Sequence, residues 1–388
     1  MTYPVLGEST TAALRDSYCW PFAVSLAATL LFVPMVRWLA VRLDLFDRPD
    51  AGLKPHDRPI PCLGGVGMYL GWCAALAVAY AWIEPCRGAV PWVAAAGTLL
   101  TLTGVADDLW RLSPKVRLVV QAVAAVLLMY GGVGRKAASA LIEPLRTSLP
   151  SFAATETVEL CFAALVCVFT LAGAMNATNF IDGLDGLCAG IVAIASLGFL
   201  AISLTVGHAA GGVDPAGPLR LILCAALLGM CAGLLWYNFN PASIFMGDGG
   251  SLLLGFNVAV IMLLLMEQPA HAGYATWRWF DGALIAFAFP VLDTGVAISR
   301  RWLNRRPLFV GDRSHLYDQL RDRGLSVRHT VLICYALGGA FALIGALAVR
   351  LPAILLFAVL IGIPGVAGYT CRKLGLLKVD DAAIRSTG

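Results

Sequence analysis

Oxygen-bearing side chains recur in this sequence at spacings that suit a divalent cation and a phosphorylated ligand. The densest run is Asn176-Ala-Thr-Asn-Phe-Ile-Asp-Gly-Leu-Asp-Gly186, which contains no cation and lies between two strongly apolar stretches. Asn179 to Asp182 and Asp182 to Asp185 are both i, i+3 steps, so on a helical turn the three side chains project to one side. Gly183 and Gly186 permit close approach of a ligand to the backbone. A plain polar turn needs fewer such side chains. A hard cation, Mg2+ with Mn2+ as the alternative, accounts for the set.

Three further segments carry reactive groups. Asp107-Asp108 closes an apolar stretch, and adjacent carboxylates repel unless a metal or a cation lies beside them. Solvated residues at a membrane boundary are the competing reading of this pair. Arg111, Lys115 and Arg117 follow, as boundary anchors or as phosphate ligands. In Asn238-Phe-Asn-Pro-Ala-Ser-Ile-Phe-Met-Gly-Asp-Gly-Gly-Ser251, Asp248 sits in a glycine-rich turn that opens a helix. Such a turn binds phosphate through backbone N–H groups, or Asp248 or Ser251 simply caps the helix. Phe245 and Met246 serve there as interfacial anchors or as a platform for a base. Asp293 lies inside a further apolar stretch near its inner end, two turns before Arg300-Arg301, as a structural partner of that pair or as a site residue. His315 starts a short amphipathic segment over 313–323, either as a structural residue or for phosphate binding or proton transfer.

The elements that must position these groups are membrane helices. Of 388 residues, 59% are hydrophobic and 13% charged, and the mean hydropathy is +0.78. Soluble domains are about 45–50% apolar and about 25% charged. The excess excludes a water-soluble enzyme, a disordered chain and a disulfide-built secreted domain. The net charge of +4 is too small to imply nucleic acid. The 11 cysteines form no C-x-x-C pair, so they read as small apolar residues.

With about 20 apolar residues needed per crossing, the sequence predicts an all-α polytopic protein. Eleven helices are expected, near 20–41, 64–83, 90–106, 115–131, 157–175, 187–206, 219–238, 251–267, 282–299, 331–349 and 352–371. Ser113-Pro114 reads as a helix start. No internal repeat is visible. Residues 1–19 are expected as a short external N-terminus without a cleavable signal, 20–371 as one catalytic domain, and 372–388 as a polar tail. Of the 28 Lys and Arg, 19 fall in the odd-numbered loops and the tail, 8 fall opposite, and Arg37 lies within a helix. The positive-inside bias therefore predicts an external N-terminus and a cytoplasmic tail. All the acidic and amide-rich segments then share the cytoplasmic face with the basic loop 42–63.

That constellation resembles the polyprenyl-phosphate N-acetylhexosamine-1-phosphate transferase superfamily, glycosyltransferase family 4. The resemblance rests on Asp107-Asp108, Asn176-x-x-Asn-x-x-Asp-Gly-x-Asp-Gly, Asn238-x-x-Pro-Ala-x-x-Phe-Met-Gly-Asp-x-Gly-Ser, Lys54-x-His-x-x-Pro-Ile-Pro-x-x-Gly-Gly65 and the segment around His315. It runs from about residue 50 to 330 in chain order. Where the peptidoglycan translocase of this superfamily has consecutive histidines, the chain has His315-Leu-Tyr-Asp318. It is closer in this to the initiators of O-antigen and teichoic acid.

The resemblance implies a reaction. A UDP-N-acetylhexosamine donates its sugar-1-phosphate to undecaprenyl phosphate, with Mg2+ required, at the inner membrane of a bacterial cell. It also implies roles. Asp248, Asn179 and Asp182 would bind metal. Asp107 and Asp108 would orient or deprotonate the lipid phosphate, and Asp182 and His315 would join them in catalysis. Gly183, Asp185, Asn238 and Phe245 match nucleotide-holding positions, and Lys54, Lys115 and Arg313 would hold phosphate. Direct attack by the lipid phosphate is the simpler route, with a two-step route through an aspartyl intermediate left open, as is a homodimer. A transporter is the competing class, but its polar residues belong near the bilayer midplane, often at inverted repeats. A CDP-alcohol phosphotransferase fails at Asp182-Gly183, which Leu-Asp-Gly follows instead of x-x-Ala-Arg.

Overall fold

The computed structural model describes residues 8–49, 58–137, 156–210, 214–267, 277–305 and 315–374, with side chains from Cys19 onward. The helices in chain order are α1 (Glu8–Arg42), α2 (Gly64–Trp82), α3 (Val90–Trp110), α4 (Pro114–Tyr130), α5 (Glu156–Phe180), α6 (Leu187–Ala209), α7 (Gly217–Asn238), α8 (Gly247–Met266), α9 (Trp277–Ala286), α10 (Ala288–Leu303), α11 (Leu316–Asp322), α12 (Val327–Ala348) and α13 (Ala353–Lys373). Two short strands, β1 (Phe46–Asp47) and β2 (Ile60–Pro61), pair antiparallel.

Among the described residues, nine helices are long and apolar enough to cross a membrane, or ten if α9 and α10 form one span. The stretch expected at 115–131 is α4, which has 17 residues and so is about 25 Å long at 1.5 Å per residue. Ser113 does cap it, accepting from the Val116 amide, with Pro114 at the first helical position. Two expectations change. The helix placed at 282–299 is broken into α9 and α10, bent by 74° at Phe287. Pro290 explains the break, because it has no N–H for the Ala286 carbonyl and its ring crowds that oxygen. The first helix begins at Glu8 instead of near 20. Hydropathy marks the lipid-facing length, whereas backbone hydrogen bonding continues through the polar residues before it.

Exposed tryptophans fall in two groups. Trp20, Trp82 and Trp92 lie at one end of the bundle, where Trp92 stacks on Tyr130 and Trp20 meets Trp82 edge-on. Trp38, Trp110, Trp236 and Trp302 lie at the other. A membrane protein presents its indoles in this way at the two faces of the hydrocarbon layer.

Helix α8 is apolar all round and buried along its length. It packs against α2, α3, α5, α6, α7 and α9. Close approach requires glycine: a Cβ on Gly104 of α3 would lie 2.5 Å from the Gly249 backbone. Residues 61–65 run beside 245–246, with Phe245 N donating to Pro61 O at 2.9 Å and Gly64 N to Phe245 O at 2.8 Å. This pairing ties the paired strands β1 and β2 to the start of α8.

At the other end, Glu267 follows α8 and its carboxylate accepts the Gly134 amide. Burial pushes its carboxyl up to about 7, against the lowering effect of that amide and of Lys136. The folded state therefore binds this proton more tightly than the unfolded chain does. The stability that Glu267 contributes is full below the ordinary carboxylate range and falls as pH rises through about 7. Glu267→Gln is expected to flatten the decline in melting temperature between pH 5 and 8. An unchanged slope would remove Glu267 as its source.

Candidate active site

Where α3, α5 and α7 finish and α6 and α8 begin, a cavity of about 750 Å³ opens, a size that suits a nucleotide-like ligand. Its acidic wall holds Asp108, Asn179, Asp182, Asp185 and Asp248, and its other walls include Phe46, Arg58, Ile60, Asn238, Phe245 and Arg321. Four of the five expected segments therefore meet at this cavity, whereas Asp293 and His315 do not line it and Arg321 and Val327 do.

Asp108 caps α8 from a neighbouring helix. Its Oδ1 accepts the Asp248 amide at 2.9 Å and its Oδ2 the Gly249 amide at 3.4 Å. The helix start read as a phosphate site or as a self-capped turn thus already holds a carboxylate. Asp107, one residue earlier, does not line the cavity. It is buried, accepts the Leu112 amide at 2.6 Å and pairs with Arg117 Nη1 at 2.7 Å. The same Nη1 lies 3.8 Å from Asp248 Oδ2. Asp107 therefore meets the site through Arg117 and through the Asp248 carboxyl, with which it also shares a hydrogen bond.

Asp248 also accepts from Asn179 Nδ2 at 2.7 Å, and that amide reaches Ser251 Oγ at 3.1 Å. The Asp182 side chain lines the cavity and makes no hydrogen bond to a described residue. Burial first, then the charges of Asp248, Asp108 and Asp185, push its carboxyl up to about 8. Like charges gathered at one cavity wall disfavour each other's ionisation.

Asp185 and Asn238 do structural work at the cavity edge. Asp185 Oδ2 accepts from Asn240 Nδ2 and from the Ala242 amide, each at 2.9 Å. Asn238 takes the Gly186 amide at 3.0 Å and donates to Ile244 O at 2.9 Å. Both still line the cavity, as do Gly183 and Phe245. Met246 is buried in the core and presents no surface to a base.

His315 is buried, its Nδ1 2.7 Å from Asp293 Oδ2, while Asp293 Oδ1 accepts the Leu316 amide at 2.8 Å. It reaches the cavity wall through Tyr317, whose ring stacks on it at 5.4 Å and covers Gly183. Of the predicted phosphate ligands, Lys54 and Arg313 lie outside the described residues, and Lys115 is exposed on the first turn of α4, away from the lining. Among the described residues, the cations that line the cavity are Arg58 and Arg321. Sequence reading counted both only towards orientation. The signal for Arg321 was its place one turn after Tyr317 on the short helix.

An all-oxygen wall of carboxylates and an amide, faced by arginines and bounded by an aromatic ring, can bind a hard cation, a diphosphate and a base together. Known proteins are similar to this chain in sequence. Residues 90–266 match a family described as Glycosyl transferase family 4. A probable undecaprenyl-phosphate N-acetylglucosaminyl 1-phosphate transferase of Bacillus subtilis is 32% identical over 325 residues, covering 83% of this chain and 82% of that protein. A decaprenyl-phosphate N-acetylglucosaminephosphotransferase of Mycolicibacterium smegmatis is 32% identical over 318 residues, 79% of this chain and 76% of its own. An undecaprenyl-phosphate alpha-N-acetylglucosaminyl 1-phosphate transferase of Escherichia coli K12 is 28% identical over 324 residues, 82% and 81% of the two chains.

Proposed function

The chain belongs to glycosyl transferase family 4, the polyprenyl-phosphate sugar-1-phosphate transferases, and from that premise we propose that it moves N-acetylhexosamine-1-phosphate from a UDP-sugar to undecaprenyl phosphate. An oxygen of the lipid phosphate bonds to the β-phosphorus, and the bridge to the α-phosphorus breaks. UMP leaves with that electron pair, and the lipid carries a diphosphate-linked sugar. The cavity opens on the cytoplasmic side of a bacterial inner membrane, and the product begins a cell-surface polysaccharide. The relatives' names make N-acetylglucosamine the first donor to try.

The observation that carries this reading is Asp182, an unbonded carboxyl facing Asp108 and Asp248 across one cavity. A divalent cation relieves their repulsion. Among the described residues no three His, Cys, Asp or Glu side chains form a closed metal cage. Mg2+ keeps waters and is held by one or two carboxylates plus substrate phosphate. Asp182 and Asp248 would hold it, with Asn179 fixing Asp248. When bound, it supplies charge to the diphosphate oxygens.

The remaining work falls to the chain itself. Arg58 and Arg321 bring positive charge to the phosphates, and Phe245 offers its ring to the uracil. Asp107 and Asp108 are engaged by Arg117 and by the α8 amides, which favours direct attack over an aspartyl intermediate on either. Asp108 is left to orient the acceptor.

The test is release of UMP and formation of lipid-linked sugar by purified protein with undecaprenyl phosphate, Mg2+ and a panel of UDP-N-acetylhexosamines. Release is expected to require both lipid and metal. Asp248→Asn should raise the Mg2+ concentration for half-maximal rate about tenfold or more, the worth of about 1.4 kcal/mol. Near-normal turnover of that variant at every Mg2+ concentration would overturn the metal assignment.

A further inference from the structure

The acidic turn between α5 and α6 is gripped at both ends by tyrosines from the C-terminal third of the chain. Tyr317 of α11 donates from Oη to the carbonyl of Phe180, the last residue of α5, at 3.0 Å. Tyr335 of α12 donates to the carbonyl of Gly186, which precedes α6, at 2.6 Å. Each ring also lies against a glycine. A Cβ on Gly183 would come within 2.2 Å of the Tyr317 hydroxyl, and one on Gly190 within 2.0 Å of that of Tyr335. Tyr317 is itself held, stacked on His315, which is paired with Asp293 of α10.

Between these two grips the chain has little of its own. The Asp182 amide reaches Asn179 O at 3.3 Å and the Leu187 amide reaches Leu184 O at 3.0 Å. Asp185 and Gly186 are tied to the 238–242 loop, whereas the Asp182 side chain has no tie. Its direction therefore depends on the path of the backbone from Phe180 to Gly183. The α5 C-terminal carbonyls, which lack helical partners, are where an outside hydroxyl has most influence on that path. Tyr317 is buried, so its bond has no ready substitute.

We propose that Tyr317 and Tyr335 are positioning residues that clamp the acidic turn so that Asp182 stays turned towards Asp248; the inference rests on the phosphotransferase reading above. It also gives the tyrosine that stands among the usual histidine positions a distinct task. It holds the turn by its hydroxyl and its ring.

The test uses the full chain in detergent, with Tyr317→Phe, Tyr335→Phe and the control Tyr237→Phe. Tyr237 makes the same kind of bond, to Leu30 O at 2.9 Å, but to α1. Amide hydrogen exchange is followed by mass spectrometry over 178–190, and Mn2+ binding without substrate by the paramagnetic resonance of free Mn2+. Losing one such bond should speed exchange at 181–187 about fivefold and weaken Mn2+ binding by a similar factor, with the control changing neither. Unchanged exchange, or equal change in Tyr237→Phe, would overturn the clamp. Faster exchange with wild-type Mn2+ affinity would reduce both tyrosines to packing residues and overturn their positioning role. If the unaltered protein released no UMP, the phosphotransferase reading would fall by itself. The exchange data would still decide whether the turn is clamped.

Discussion

Asp182→Asn is expected to lower turnover by about a thousandfold, the scale for deleting a charge that acts on a reacting phosphate or oxyanion, without unfolding the protein. Asp182 makes no hydrogen bond that Asn would break, and Asn removes a charge that burial and three neighbouring aspartates oppose. In the absence of divalent cation the variant should therefore melt no lower than the unaltered protein.

The pH dependence has a definite sign. With its carboxyl raised to about 8, folded Asp182 holds a proton that the unfolded chain releases near pH 4. Without metal, stability falls as pH rises from the ordinary carboxylate range through about 8. Binding a cation expels that proton, so Mg2+ affinity should climb up to about tenfold per pH unit below 8 and level off above it. Asp182→Asn should weaken both trends, leaving the share of the stability decline that belongs to Glu267. Turnover above about a tenth of normal, with the same Mg2+ and pH dependence, would exclude Asp182 from the chemistry.

Asp108 predicts a split between two substitutions. Its carboxylate accepts two amides at the start of α8 and also lines the cavity. Asp108→Asn keeps an acceptor for the helix and loses the charge. It should fold normally and lose about a hundredfold or more in rate. Asp108→Ala also loses the cap, worth about 0.5–2 kcal/mol, and should melt several degrees lower. Equal melting temperatures for the two variants would show that the cap contributes nothing.

Much of this was legible from the residues themselves. The polar runs were found because so many oxygen-bearing side chains beside apolar helices need an explanation, and charge placement put them on one face. The division between Asp107 and Asp108 was not legible. Neighbouring residues on a helix point about 100° apart, so only one can face a given cavity, and packing with α4 and α8 decides which. Asp185 and Asn238 were read as ligand-binding groups, yet their oxygens and amides also fix the 238–244 turn. A polar side chain beside glycines serves a ligand and its own loop with the same atoms. The bend at Phe287 was within reach, because Pro290 stands inside the expected helix. Tyr317 and Tyr335 were not, since their partners are backbone carbonyls more than a hundred residues away.

The enclosure of α8 by six other helices has a consequence for how the molecule is made. During synthesis α8 leaves the ribosome after α2, α3, α5, α6 and α7 but before α9. It must enter a half-built bundle sideways from lipid and wait there with one flank uncovered. Its sequence tolerates that delay, being about as oily as the lipid-facing spans. The flank closes only when α9 arrives. A chain released after residue 267 would thus carry the whole acidic wall yet lack both the closing helix and the tyrosines that hold the 181–186 turn. Such nascent chains are the ones that membrane quality control would meet.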